Sequence, residues 1–289
     1  MASEARDPAP DDPLSTAAWA AARGAKWAAH IAGMEAMLAP VDAPLVAALA
    51  LDRPCRIADL GCGGGATSLA ILDRAPAGSR VHGVDISPDL IAHARGRAPA
   101  GAAVAFECAD LAPAAPPGGP FERLVSRFGL MFFDEPPAAF ANLARWLLPG
   151  GRFAFAVWAA PADNAWVASV REVVAGIVDV PRTPPDAPGL FRYADPAGLV
   201  VLLQRSGFAE VEVSPWRGDL RIGGGLPAAD AATFALAAFA NFGELLAAAG
   251  AEAGRRAHRE LAQRWHAAER RGEVALPACV HVLTGSVAR

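Results

Sequence analysis

Apolar positions first recur at helical spacing. Trp27, Ile31, Met34 and Leu38 form a stripe along a helix predicted over 16–38, which Pro40 closes. A second short helix follows Asp42. From residue 55 the pattern changes to short apolar runs alternating with helical stretches. "CRIADLG" (55–61), "RVHGVDIS" (80–87), "AVAFECADL" (103–111), "FERLVSRFG" (121–129) and "RFAFAVWA" (152–159) read as strands. Between them "ATSLAILDRA" (66–75), "SPDLIAHARGRA" (87–98) and "PPAAFANLARWL" (136–147) read as helices. Ser87 is a natural N-cap for the second of these, with Pro88 in its first turn.

Beyond Ala160 the alternation loosens. "DNAWVASVREVVAGIV" (163–178) is helical, and "PRTPPDAPG" (181–189) is a proline-rich loop. "DPAGLVVLLQRSGF" (195–208) is a helix with Asp195 as cap and Gly207 as stop. "AEVEVSPW" (209–216) is a strand, Ala228 to Gly272 is mostly helical, and "ACVHVLTGSVA" (278–288) is the last strand. Strands separated by helices imply a parallel sheet with right-handed crossovers. The expected class is α/β, with seven strands. Its division is a disordered tail over 1–14, lid helices over 15–50 and a nucleotide-binding core over 51–160. An insertion over 161–194 follows, then more core over 195–225, a helical cap over 226–273 and a final core strand over 274–289.

Composition narrows the partners. Of the 289 residues 53% are hydrophobic, but many are alanine, which buries little area. No apolar stretch is expected to reach the ~18 residues that span a bilayer. The acids and prolines of "MASEARDPAPDDP" do not resemble a signal peptide, so a cytoplasmic setting is expected. A net charge of −4 disfavours a nucleic-acid backbone as main partner, and no membrane partner is expected. Cys55, Cys62, Cys108 and Cys279 lack metal-ligand spacing, so free thiols and no metal are expected. Oligomeric state is not legible.

The chemistry concentrates in "RIADLGCGGGATSLA" (56–70), where four glycines fall within 61–65 between strand and helix. Gly61-x-Gly63-x-x-Ala66 satisfies the dinucleotide fingerprint. A turn for S-adenosylmethionine needs glycines for the same reason, close approach of backbone to ligand. Asp59 separates the two, because a pyrophosphate over the turn would be repelled by its carboxylate whereas an ammonium and a sulfonium would be attracted. Asp85, ending the second strand, suits ribose hydroxyls in either reading. In "CADL" (108–111) a carboxylate, Asp110, can take an adenine amino group while Leu111 packs on the ring.

Here the sequence resembles the class I S-adenosylmethionine-dependent methyltransferases. "ADLGCGGG" resembles their first motif, "VDIS" their ribose acid and "CADL" their adenine-side motif. "LVSRFGLMFFDEPPAAFANLARWLLPGGRFAFAVW" (124–158) is the most specific match, to bacterial small-molecule enzymes of the type that includes quinone biosynthesis. The resemblance implies a Rossmann-like, mostly parallel seven-stranded sheet with its last strand antiparallel, under a helical cap. It implies S-adenosyl-L-methionine as cofactor and S-adenosyl-L-homocysteine as product. It places Gly61, Cys62 and Gly63 at the methionine part, Asp59 at its ammonium, Asp85 and Ile86 at ribose and adenine, and Asp110 and Leu111 at adenine. Ser126 would offer its carbonyl to the ammonium, with Arg127 and Phe128 adjacent, and Trp19 and Trp27 would fold over the cofactor. Trp27 as plain helix packing and Arg127 as a salt-bridged arginine stay open beside these roles.

The acceptor is expected to be a small, planar or lipophilic metabolite, met by Phe132, Trp158, Trp166, Tyr193, Phe234, Phe239 and Phe242. Those aromatics are equally readable as the core of the cap. No His/Asp pair stands out as a base, and His30, Tyr193 and Arg127 are the remaining catalytic candidates. Two other readings stay open: an NAD(P)-dependent oxidoreductase, and a methyltransferase-like fold that binds the cofactor without methyl transfer, as a binding module or cyclase.

Overall fold

A computed structural model describes residues 16–184 and 186–288. The expected tail, 1–14, lies outside them. Among the described residues eight strands form: β1 (Arg56–Leu60), β2 (Arg80–Asp85), β3 (Val104–Cys108), β4 (Phe121–Arg127), β5 (Leu147–Trp158), β6 (Phe208–Arg221), β7 (Glu269–Arg270) and β8 (Glu273–Val287). Seven make one sheet in the order β3-β2-β1-β4-β5-β8-β6, and β7 pairs β8 off this path. The first five run parallel, while β8 is antiparallel to both β5 and β6. The strand count is therefore eight rather than seven. The extra strand is a two-residue hairpin arm inside the stretch expected to be helical, where Glu269 pairs with Val274 across the turn.

The sheet carries Rossmann-like logic. Chain order reverses between β1 and β4, which opens a crevice at the strands' carboxyl ends, where such folds bind ligands. Helices Ala66–Arg74, Pro88–Arg97 and Pro136–Ala144 make the crossovers. Ser87 Oγ accepts the N–H of Leu90, and Asp195 Oδ1 accepts that of Ala197, so both expected caps form. Trp146, Trp158, Phe140, Phe153 and Phe155 are fully buried in the continuous core.

The helix expected over 16–38 is broken. Ala21 leaves helical geometry (φ −125°, ψ −111°) inside a π turn over Trp19–Arg23, and His30 (φ −115°, ψ 14°) separates Gly24–Ala29 from Ile31–Leu38. The first break bends the chain around helix Pro88–Arg97, where Gly24 lies so close to Ser87 that a Cβ would meet its Oγ at 2.1 Å. The hydropathy expectation also needs correction. Ile31–Ala48 is an 18-residue helical run of mean hydropathy 1.4. Its apolar side chains Met37, Leu38, Val41 and Leu45 pack in the core, which accounts for that hydropathy.

The cap consists of helices Ala228–Ala238, Phe242–Ala248 and Ala251–His266. It docks on helix Ala165–Ala175 through Trp265, whose indole N–H donates to Ser169 Oγ at 3.0 Å. The N-terminal helices are clasped to the cap's bend. Arg23 and Lys26 both donate to the carbonyl of Ala240, at 2.7 and 2.9 Å, and Lys26 also pairs with Glu244 at 2.8 Å.

Candidate active site

One cavity lies over the carboxyl ends of β1, β2 and β4, roofed by the N-terminal helices. Its wall holds Asp59, Gly61, Cys62, Gly63, Asp85, Ile86, Asp110 and Leu111. The same wall carries Phe128, Phe132, Trp158 and Trp166, with Trp19, Trp27 and Arg127. Residues from five strands or strand ends and from the lid thus meet at one place.

The glycine turn is set by two constraints. Gly61 (φ +68°) packs against the turn after β4, where a Cβ would meet Gly129 Cα at 2.7 Å. Gly63 (φ +55°) has nothing within 4 Å of where its Cβ would be, so bare backbone faces open space. Asp85 fixes this turn. Its Oδ2 accepts the N–H of Gly63 at 2.9 Å and its Oδ1 accepts that of Ser87 at 2.9 Å. Burial pushes the Asp85 carboxyl up from its ordinary range, opposed by those backbone donors. Asp110 makes a local turn, accepting the N–H of Ala112 at 2.9 Å.

Asp59 is fully buried. Ser68 Oγ donates to its Oδ2 at 2.6 Å, while Oδ1 has no partner. Burial raises its carboxyl to about 7 against the opposing Ser68 hydrogen bond and the Arg127 charge. An unpartnered carboxylate oxygen beside bare glycine backbone suits a ligand with an ammonium group and no phosphate. Cys62 is buried, and burial together with Asp59 and Asp85 pushes its thiol well up, which keeps it protonated and unreactive.

Phe128 adopts a left-handed backbone (φ +67°) and lies flat on Trp158, ring centroids 4.1 Å apart and planes at 2°. Holding a bulky residue there costs about 1–3 kcal/mol, which the stack and a backbone bond to Ala156 (3.0 Å) offset. Trp166 continues the aromatic wall at 4.9 Å from Trp158, and Phe132 meets Trp19 at 4.8 Å.

Several expected site residues stand behind the wall. Ser126 is buried, its Oγ bonded to the Leu60 carbonyl at 2.7 Å, so its side chain ties β4 to β1. Phe239 backs Trp166 edge-on at 4.9 Å, Phe234 backs Phe239 at 5.8 Å, and His30 meets Phe234 at 6.0 Å, so these three form a second layer. Phe242 is buried in the continuous core. Tyr193 packs near Phe140, and burial pushes its phenol up to about 12, which unsuits it as a base near neutral pH. In turn Thr16, Met34, Glu35, Leu38, Thr67, Phe133 and Leu190 line the cavity without having been singled out. Met34 and Leu38 belong to the apolar stripe of the predicted N-terminal helix. Glu35 carried no local signal, since its partner Arg97 is 62 residues away. Among the described residues no three His, Cys, Asp or Glu side chains converge as metal ligands, and all four cysteines are free.

Comparison with known proteins bears on this geometry. Residues 57–151 match the family described as a methyltransferase domain. The chain is 38% identical over 120 residues to demethylmenaquinone methyltransferase of Thermus thermophilus, covering 41% of this chain and 54% of the relative. It is 38% identical over 109 residues to trans-aconitate 2-methyltransferase of Methylobacterium nodulans, covering 38% of this chain and 40% of the relative. The chain thus matches about half or less of these relatives' length. The fold is shared with the crystal structure of the YcgJ protein from Bacillus subtilis. That match has a TM-score of 0.56 at 15% identity, over 87% of this chain and 99% of that one. Residues 57–151 thus carry a methyltransferase domain, on the fold that solved structure shares.

Proposed function

We propose that this protein is a methyltransferase that takes its methyl group from S-adenosylmethionine and passes it to a small, planar or lipophilic acceptor. One observation carries the reading: a single cavity wall joins the glycine turn, Asp59, Asp85 and Asp110 to the aromatic set Phe128, Phe132, Trp158 and Trp166. The backbone of Gly61 and Gly63 would receive the amino-acid part of the cofactor, and Asp59 its ammonium. Asp85 keeps lone pairs for ribose hydroxyls beyond its two backbone bonds. Ile86, Asp110 and Leu111 would hold the adenine. When bound, the cofactor supplies a methyl carbon made electrophilic by a positive sulfur.

What the chain supplies is alignment and exclusion of water. Phe128 and Trp158 form a stacked platform, and on the same wall Trp19 packs against Trp27 and Phe132. Aligning two reactants can contribute up to roughly 7–11 kcal/mol, so little further help is required when the acceptor is already a good nucleophile. The test is an acceptor screen. The purified protein is incubated with methyl-labelled S-adenosylmethionine and pooled aromatic and lipophilic metabolites, read by mass spectrometry. The expected result is a labelled product with the mass of one added methyl. Binding of the cofactor with no methylated product from any pool would favour a cofactor-binding protein that transfers nothing.

A further inference from the structure

Arg127 is the only Lys or Arg on the cavity wall among the described residues. It ends β4, and its Nη1 donates to Asp42 Oδ2 at 3.0 Å, with both side chains about one-tenth exposed at 10%. Asp42 is itself held by Thr67 Oγ1 at 2.9 Å, and Thr67 stands in the first turn of helix Ala66–Arg74, on the same wall. The guanidinium is therefore anchored at one nitrogen. No group among the described residues accepts from Nε or Nη2. A guanidinium carries five N–H donors in a fixed fork that matches a carboxylate, and those of Nε and Nη2 are left to the cavity that Arg127 lines. The Arg127 charge is felt at Asp59, whose Oδ1 is also unpartnered. Opposite charges side by side on one wall complement a group that carries an ammonium and a carboxylate on one carbon.

We infer that Arg127 binds the carboxylate of the cofactor's amino-acid end through Nε and Nη2, while Asp59 takes the ammonium and Asp42 fixes the guanidinium. This rests on the S-adenosylmethionine reading above. Asp42 belongs to the N-terminal helices, so the same contact couples the lid to a filled amino-acid pocket.

The test uses titration calorimetry with two probes. One is S-adenosylhomocysteine; the other is its decarboxylated analogue, S-adenosyl-3-thiopropylamine, which keeps the amine and lacks the carboxylate. The wild type should bind the first about 10- to 100-fold more tightly, the range for a charge-assisted hydrogen-bonded pair. Arg127→Gln combined with Asp42→Asn removes both charges together and so leaves none buried alone. It should weaken S-adenosylhomocysteine about 10- to 100-fold and leave the analogue within about threefold. Should that pair of changes prevent folding, Arg127→Lys keeps the charge, loses the fork and should narrow the preference in the same direction. Unchanged S-adenosylhomocysteine affinity in the variant, as expected if Arg127 grips an acceptor instead, overturns the inference. An equal loss of both probes also overturns it. A wild type that binds neither probe fails the cofactor reading itself.

Discussion

Asp85 accepts the backbone N–H of Gly63 at 2.9 Å, so a carboxylate at the end of one strand shapes the glycine turn at the end of its neighbour. Its other oxygen caps the start of the next helix through Ser87. The residue is placed to hold both the protein's backbone and a ligand's hydroxyls.

Replacing it should therefore damage fold and binding together. Asp85→Ala is expected to cost about 2–4 kcal/mol in urea unfolding, from two lost hydrogen bonds to an ionisable acceptor. It should also abolish S-adenosylhomocysteine binding by calorimetry. Asp85→Asn should retain much of the stability and bind weakly. Wild-type affinity in Asp85→Ala would remove the residue from the site.

Asp59 gives a pH dependence whose sign is fixed by its raised pKa. The carboxyl titrates near 3.8 when unperturbed and at about 7 in the folded chain. Below about pH 4 both states hold the proton and Asp59 contributes no difference. Between about 4 and 7 the unfolded chain loses it first, so the ligand-free protein loses stability as pH rises, by an amount on the order of a few kcal/mol that stays lost above 7. An ammonium beside Asp59 favours the ionised form, so binding at about pH 6 should release a proton. Unfolding across this range should show the slope in the wild type and not in Asp59→Asn. Parallel curves would contradict the assignment.

The two positive-φ glycines should separate structure from binding. Gly61→Ala meets Gly129 Cα at 2.7 Å as well as backbone strain, and should lower the melting temperature by several degrees. Gly63→Ala enters open space, should cost only about 1 kcal/mol, and should weaken S-adenosylhomocysteine by crowding the cradle. Affinity loss in the first variant alone would reverse these roles.

Phe132 lines the cavity and packs against Trp19. Phe132→Ala should leave S-adenosylhomocysteine affinity within about threefold and lower turnover of an acceptor found by the screen at least roughly tenfold, because loose positioning is costly to rate. The opposite pattern would move Phe132 to the cofactor.

What the sequence made legible was local. Ser87-Pro88 and Asp195-Pro196 announce helix starts that depend only on neighbouring atoms, and both caps form. The acids at the ends of β1 and β2 stand out because they interrupt apolar runs. The long strands β6 and β8 were legible only in part: the expected strands, 209–216 and 278–288, stop short of Gly218 and Pro277, which the observed strands run through. Pro215 is tolerated because β6 is the sheet's edge. Pro277 is tolerated because it pairs only with Asp219, beyond the point where β5 ends opposite Val280. The lid's break at Ala21 and the partnership of Arg127 with Asp42, 85 residues apart, depend on packing between distant elements. For the same reason Phe234 and Phe239 could be recognised as a pair without showing that they stand behind the wall formed by Trp158 and Trp166.

The central claim is the cofactor, and thermal unfolding of the whole chain tests it directly. S-adenosylmethionine and S-adenosylhomocysteine at about a hundred times their dissociation constants should each stabilise the protein by about 2.7 kcal/mol, while NAD and NADP at equal concentration leave the transition where it is. No shift with either sulfur compound, or an equal shift with NAD, would contradict the account.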